Sequence, residues 1–315
     1  MNTPEWLTEL LNDPLATDIC LNGSETAFVD RGNGQGMTEV PHCHWPADVM
    51  RDWLIQEITR VGKAWDARNP FIDATLASGH RLHAAFPPLS RQGLLVSLRR
   101  LPEACREQAR PESCRARWSS DAQSQTLFLR LEEKARAGDS VLISGATGSG
   151  KTTLANDLLT CVAPSERIIA LEDTPELAPA HPHFVSLQSR PPNAEGQGEV
   201  TLRTLLRQAL RMRPDRIVLG ECRGPEVLDL LQALNTGHRG LISTLHANSP
   251  RDALRRVELL CMMASGGAIP LLAIRELLAT GVQWVAQVRH RKIEALWKIE
   301  GREGETILMR NDLAS

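Results

Sequence analysis

Apolar positions recur along the chain with two different periods, and the change from one to the other divides it. Over residues 47–61 (ADVMRDWLIQEITRV), Met50, Trp53, Leu54, Ile58 and Val61 fall on one face at helical spacing while Arg51, Asp52, Glu57 and Arg60 lie mostly elsewhere, which predicts an amphipathic helix. On either side of it the pattern alternates. DICL and ETAFVD flank Asn22-Gly23-Ser24, FIDATL and RLHAAF flank Ala77-Ser78-Gly79, and GLLVSLRR follows, so two strand pairs around glycine-containing turns and a further strand are predicted. Residues 1–102 therefore read as a small α+β domain.

Residues 103–122 are polar, charged and proline-containing with no sustained apolar period, as expected of a linker. From 123 the texture becomes helix, strand, helix. QTLFLRLEEKARAG closes on Gly138, VLIS is a short buried strand and KTTLANDLLTCV is helical; the alternation returns at RIIALED, at TLRTLLRQALRM with RIVLGE, and at VLDLLQALNTG with GLISTLHA. Strands alternating with helices predict an α/β domain over 123–315 with a mostly parallel sheet.

Composition narrows the class. At 315 residues the chain is long enough for two cores, and its 42% apolar and 23% charged residues are ordinary globular proportions. A net charge of -2 provides no global field for nucleic acid, and without Tyr and with only five Phe there is no aromatic-rich basic groove, so no stable nucleic-acid partner is expected. Apolar runs break within a few positions, and the N-terminus carries Pro4, Glu5 and Glu9 where an export signal needs an apolar segment, so a cytoplasmic location is expected. The seven scattered cysteines never show C-x-x-C spacing, which fits reduced thiols.

The chemistry concentrates at Gly145-Ala146-Thr147-Gly148-Ser149-Gly150-Lys151-Thr152, followed by Thr153. This segment satisfies G-x-x-x-x-G-K-[ST] in full, after a strand and before a helix. Its glycines let the backbone wrap a phosphate, and amide N–H groups at a helix N-terminus supply donors and partial positive charge. Lys151 is expected to reach the β- and γ-phosphates of ATP and Thr152 to offer its hydroxyl to Mg2+. RIVLGE delivers Glu221 to a strand end, where it is expected to join the magnesium shell, through water or directly, or to orient water; Gly220 stands where a P-loop enzyme usually carries Asp. Glu172 and Asp173 end another strand, and one of them is a candidate base for the attacking water. His238 and His246 flank GLISTL, where an imidazole could sense a γ-phosphate, a structural role being the competing reading. Arg203, Arg207 and Arg211 form a stripe read as a solvated face; Arg81, Arg99 and Arg100, on N-domain strands, are candidate arginine fingers.

Together GATGSGKTT, ALEDTPEL, RMRPDRIVLGECRGPE and NTGHRGLISTLHANSPRDAL resemble the ordered boxes of the secretion and pilus ATPase superfamily, and within it the CpaF/TadA and TrbB branch. The likeness extends to LNDPLATDICLNG, NPFIDATLASGHRLHAAFPP and GLLVSLRR, nearly the whole chain. It implies a RecA-like P-loop domain in a homohexameric ring at the cytoplasmic face of the inner membrane. There it hydrolyses ATP with Mg2+ and works with membrane platform proteins in pilus assembly or in protein or DNA transfer. It marks Lys151 and Thr152 as the Walker A pair, Glu172 and Asp173 as the acidic box, Glu221 as the Walker B glutamate and His246 as the histidine-box residue. It also implies that N-domain arginines complete the site, with Arg81, Arg99 and Arg100 as the matching positions. Two other classes stand beside this reading: a nucleotide-dependent scaffold with little turnover, and a nucleic-acid translocase on a related core.

Overall fold

The computed structural model describes residues 3–32, 36–66, 70–100, 110–193 and 196–312. The chain divides into two compact units, Met1–Glu103 and Ala104–Ser315.

The first unit runs α1 (Glu5–Asn12), β1 (Asp18–Asn22), β2 (Thr26–Asp30), β3 (Thr38–Glu39), α2 (Ala47–Arg60), β4 (Phe71–Thr75), β5 (His80–Ala85) and β6 (Leu95–Arg100). Its sheet has the order β3-β2-β1-β6-β5-β4 and is antiparallel throughout. Strand alternation turns Ile19, Leu21, Leu82, Val96 and Leu98 inward against Trp53, Leu54 and Ile58, the apolar stripe of α2. Gly23, at φ 75° in the β1–β2 turn, is required twice over, because a Cβ there would stand 2.1 Å from the Gln92 carbonyl oxygen.

The second unit begins with α3 (Pro111–Arg117), α4 (Ala122–Ala137), β7 (Val141–Ser144), α5 (Lys151–Thr160), β8 (Ile168–Glu172), β9 (Phe184–Gln188) and α6 (Leu202–Ala209). It continues with β10 (Arg216–Glu221), α7 (Glu226–Asn235), β11 (Ile242–Leu245), α8 (Pro250–Ser265), α9 (Leu271–Gly281), β12 (Trp284–Arg289), β13 (Lys292–Glu303) and β14 (Thr306–Asn311). Its sheet has the order β14-β13-β12-β7-β11-β10-β8-β9. The strands from β12 to β9 are mutually parallel, and β13 and β14 extend the edge antiparallel. Helices cover both faces, with α6 to α9 packed on one core and α3 to α5 on the other. Strands buried on both sides are mostly apolar; VLIS and ISTL have every residue buried, and the Ser144, Ser243 and Thr244 hydroxyls are satisfied by donating to backbone carbonyls. Among the described residues, no helix is long and apolar enough to cross a membrane.

The assignment of 103–122 to a linker is corrected in its second half. Residues 111–117 form α3, which is anchored on the P-loop unit. Cys114 and Trp118 are fully buried, the Trp118 indole N–H donates to Asp157 Oδ2 at 2.8 Å, and Arg115 pairs with Glu132 at 2.6 Å. Two apolar anchors four residues apart hold a helix this short, and the charged residues around them hide the period. Residues 103–109 lie outside the described ones.

Candidate functional site

The phosphate cradle forms where β7 ends and α5 begins. Gly148 at φ 71° and Gly150 at φ 106° make the turns that wrap residues 145–150 round the helix N-terminus. Gly145 packs directly on the end of β12, where a Cβ would stand 2.3 Å from the Val288 carbonyl oxygen. The turn after β12 closes the loop from outside, since the Arg291 amide donates to the Ser149 carbonyl at 2.8 Å. Both residues of that turn, His290 and Arg291, adopt left-handed φ of 48° and 59° without being glycine, conformations that cost about 1–2 kcal/mol each and need a docked partner to persist. Loop backbone without side chains, a buried Lys151 and a helix N-terminus fit a nucleotide phosphate chain.

Lys151 donates to the Ala146 carbonyl at 2.7 Å and approaches His246 Nδ1 at 3.5 Å. Burial lowers its pKa, opposed by the carboxylates of Glu221 and Glu176. Glu221 reaches the same strand-end edge by a bulge between Leu219 and Glu221 where β10 meets β11; a bulge re-aims the side chain that follows it. Its Oε1 lies 3.3 Å from His246 Nε2, and its Oε2 accepts from Arg223 at 2.5 Å. Burial, then Lys151, lowers the His246 pKa below the usual imidazole value, which favours the neutral ring. With Nδ1 3.5 Å from Lys151 Nζ and Nε2 3.3 Å from Glu221 Oε1, the imidazole stands between the P-loop lysine and the strand-end acid.

Of the residues singled out from sequence, the structure brings residues 145–153, Glu221 and His246 together. Glu172 ends a parallel strand and is buried, its carboxylate accepting the Glu176 and Leu177 amides on Oε1 at 2.8 Å each and the Ser186 hydroxyl on Oε2 at 3.0 Å. Burial pushes its pKa up to about 7 despite those bonds. Gly220 follows from this packing, because a Cβ there would come within 2.9 Å of Glu172 Cγ. Asp173 is exposed and accepts from Ser189 Oγ at 2.7 Å. The turn that Glu172 clamps presents a different acid, Glu176, whose Oε2 lies 3.5 Å from Thr152 Oγ1; the sequence marks it only by its place in EDTPEL.

His238 precedes β11 and His246 follows it, so in a parallel sheet they sit at opposite edges and only His246 reaches the cradle. The Arg100 guanidinium donates to the carbonyls of Ala16, Leu11 and Asp13 at 3.1, 2.7 and 2.8 Å. Arg99 pairs with Asp18 at 2.7 Å and stands opposite Arg81 across β5 and β6. Arg203 of the basic stripe bonds Asp229 of α7, and Arg207 lies 3.7 Å from the same carboxylate, so two of its three members join helices rather than facing solvent alone.

Residues 10–294 match the family described as type II/IV secretion system protein. A putative conjugal transfer protein of Mycobacterium tuberculosis (strain ATCC 25618 / H37Rv) is 40% identical over 311 residues, 94% of this chain and 85% of that one. The type IV secretion system protein PtlH of Bordetella pertussis is 34% identical over 302 residues, 87% and 85% of the two chains. Among solved structures, the pilus retraction motor PilT with bound ADP superposes with a TM-score of 0.62 over 98% of this chain and 82% of that one; at 19% identity the likeness is one of fold.

Proposed function

The chain belongs to the type II/IV secretion system protein family, and from that premise we propose that it is the ATPase of a conjugative or type IV secretion apparatus, cleaving ATP to ADP and phosphate to drive transfer. The observation that carries this reading is the link from a complete phosphate cradle through Lys151 and His246 to Glu221. The conjugative and type IV branch is favoured over pilus assembly by the nearly full-length likeness to a conjugal transfer protein.

In this reading the amides of residues 145–152 and the Lys151 ammonium hold the β- and γ-phosphates, and removal from water strengthens each of those contacts. Thr152 and Glu221 would hold magnesium, which when bound neutralises phosphate charge. Glu221, kept in place by the neutral His246, orients the attacking water. Glu176 faces Thr152 and joins the acids available to that water, while Glu172 shapes the turn that carries Glu176. Glu172 and Asp173, as the acidic box, and Arg81, Arg99 and Arg100, as N-domain arginines, remain candidates for completing the nucleotide site. The working form is a homohexamer at the cytoplasmic side of the inner membrane, engaged with membrane platform proteins.

Phosphate release and light scattering, each with and without ATP and Mg2+, test the reading. A ring whose turnover falls at least 100-fold in both Lys151→Ala and Glu221→Gln is expected. A monomer with turnover unchanged by Glu221→Gln would remove both the ring and the assigned acid. A ring that forms on ATP yet turns over no faster than Glu221→Gln would mark a scaffold.

A further inference from the structure

The proposed function makes Glu221 the acid that faces the cradle, and the present inference rests on that reading; it concerns what fixes the posture of Glu221. Its two carboxylate oxygens have separate partners, His246 Nε2 on Oε1 and Arg223 Nη2 on Oε2. The second partner is itself held by a built device. The buried Glu226, at the start of α7, accepts the backbone amides of Arg223 at 3.2 Å and Gly224 at 2.7 Å on one oxygen. A Cβ on Gly224 would come within 2.8 Å of the other oxygen, so glycine is what lets the carboxylate lie there. The backbone of Arg223 is thereby fixed, and its side chain turns back to the residue two places earlier. The attraction of Asp173 and Glu176 adds to that of Glu221 in holding the guanidinium on this side. The whole GECRGPE segment is accounted for in this way. Gly220 makes room for Glu172, Glu221 faces the cradle, Cys222 is buried beneath it, and Gly224 and Glu226 set Arg223.

We propose that Arg223 is a positioning residue for Glu221, binding one carboxylate oxygen so that the other is turned toward His246 and the P-loop. A glutamate at a strand end samples several rotamers when its oxygens are free, and a reacting group misplaced by about 1 Å loses on the order of a hundredfold in rate. Arg223 removes that freedom by holding one of the two oxygens.

Steady-state turnover and nucleotide binding test this in Arg223→Ala, Arg223→Lys and the same substitutions combined with Glu221→Gln. In Arg223→Ala, kcat falls about tenfold to a hundredfold while KM for ATP and the Kd of a fluorescent ATP analogue stay within about threefold. Arg223→Lys recovers part of the loss, since an ammonium reaches one oxygen without the planar fork. With Glu221→Gln already present, Arg223→Ala adds almost nothing, because the interaction it removes is already gone. An unchanged kcat, an equal fall in both backgrounds, or a loss confined to KM and Kd would overturn the proposal; the last would make Arg223 a phosphate ligand. A wild-type protein that hydrolyses no ATP would overturn the functional reading and this proposal with it, whereas an active wild type matched by Arg223→Ala overturns this proposal alone.

Discussion

Glu172 and Glu221 end neighbouring parallel strands and have opposite fates. Glu172 closes a buried turn and Glu221 faces the phosphate cradle, so substituting each should separate stability from chemistry. The folded-state pKa of Glu172 is raised, to about 7, so the folded protein holds a proton there that the unfolded chain releases at its ordinary value. Stability contributed by this group is complete below the ordinary carboxylate range and is lost as pH rises to about 7. Glu172→Gln keeps the acceptor for the Glu176 and Leu177 amides and removes the buried charge. It is expected to be more stable than wild type at pH 8 by about 1–3 kcal/mol, with the advantage shrinking as pH falls and vanishing below about pH 4 in thermal melts, and to retain turnover within a few-fold. A loss of turnover as deep as that of Glu221→Gln would place Glu172 in the reaction. The cradle itself was legible in the sequence because its chemistry is contiguous: glycines, lysine and threonine act within eight positions. The hydrogen bonds of Glu172 were not legible there, because a strand-end acid looks the same whether its carboxylate turns toward ligand or back on its own chain. Those of Arg100 were hidden likewise, as its three carbonyl partners lie more than 80 positions away.

Among the elements, the β12–β13 hairpin was the least legible and is the one on which the cradle leans. No local signal announces it, since His290 and Arg291 occupy left-handed positions where glycine or asparagine would mark a turn. Gly145→Ala drives a Cβ into the Val288 carbonyl, which no side-chain rotation relieves. We expect it to abolish binding of a fluorescent ATP analogue while circular dichroism stays near wild type; wild-type affinity would show that the cradle does not depend on β12. Helix α3 poses the complementary case, charged and short, yet held by Trp118 against Phe128 and Asp157. Trp118→Ala opens a cavity beside α5 and is expected to cost about 3–5 kcal/mol, read as a lowered Tm. A cost below about 1 kcal/mol would mean that α3 is dispensable. The strands of the parallel sheet were legible because burial on both faces favours mostly apolar runs, a pattern that survives without any knowledge of partners.

At the scale of the whole molecule, the two units have separate cores. One is built from α1, α2 and the antiparallel sheet, and the other two flank the parallel sheet. Scanning calorimetry is expected to resolve two transitions, with ATP at about 100 Kd stabilising the P-loop unit by about 2.7 kcal/mol and leaving the other unchanged. A single transition displaced as a whole would show that the units unfold together. The docking of Arg291 on Ser149 also imposes an order on synthesis. The P-loop segment leaves the ribosome well before the strand and turn that brace it. At roughly 5–20 residues per second, the interval is on the order of ten seconds, during which the motif exists without its support. A nascent or truncated chain ending before β12 therefore carries the whole signature of a nucleotide site while its P-loop lacks the Arg291 brace.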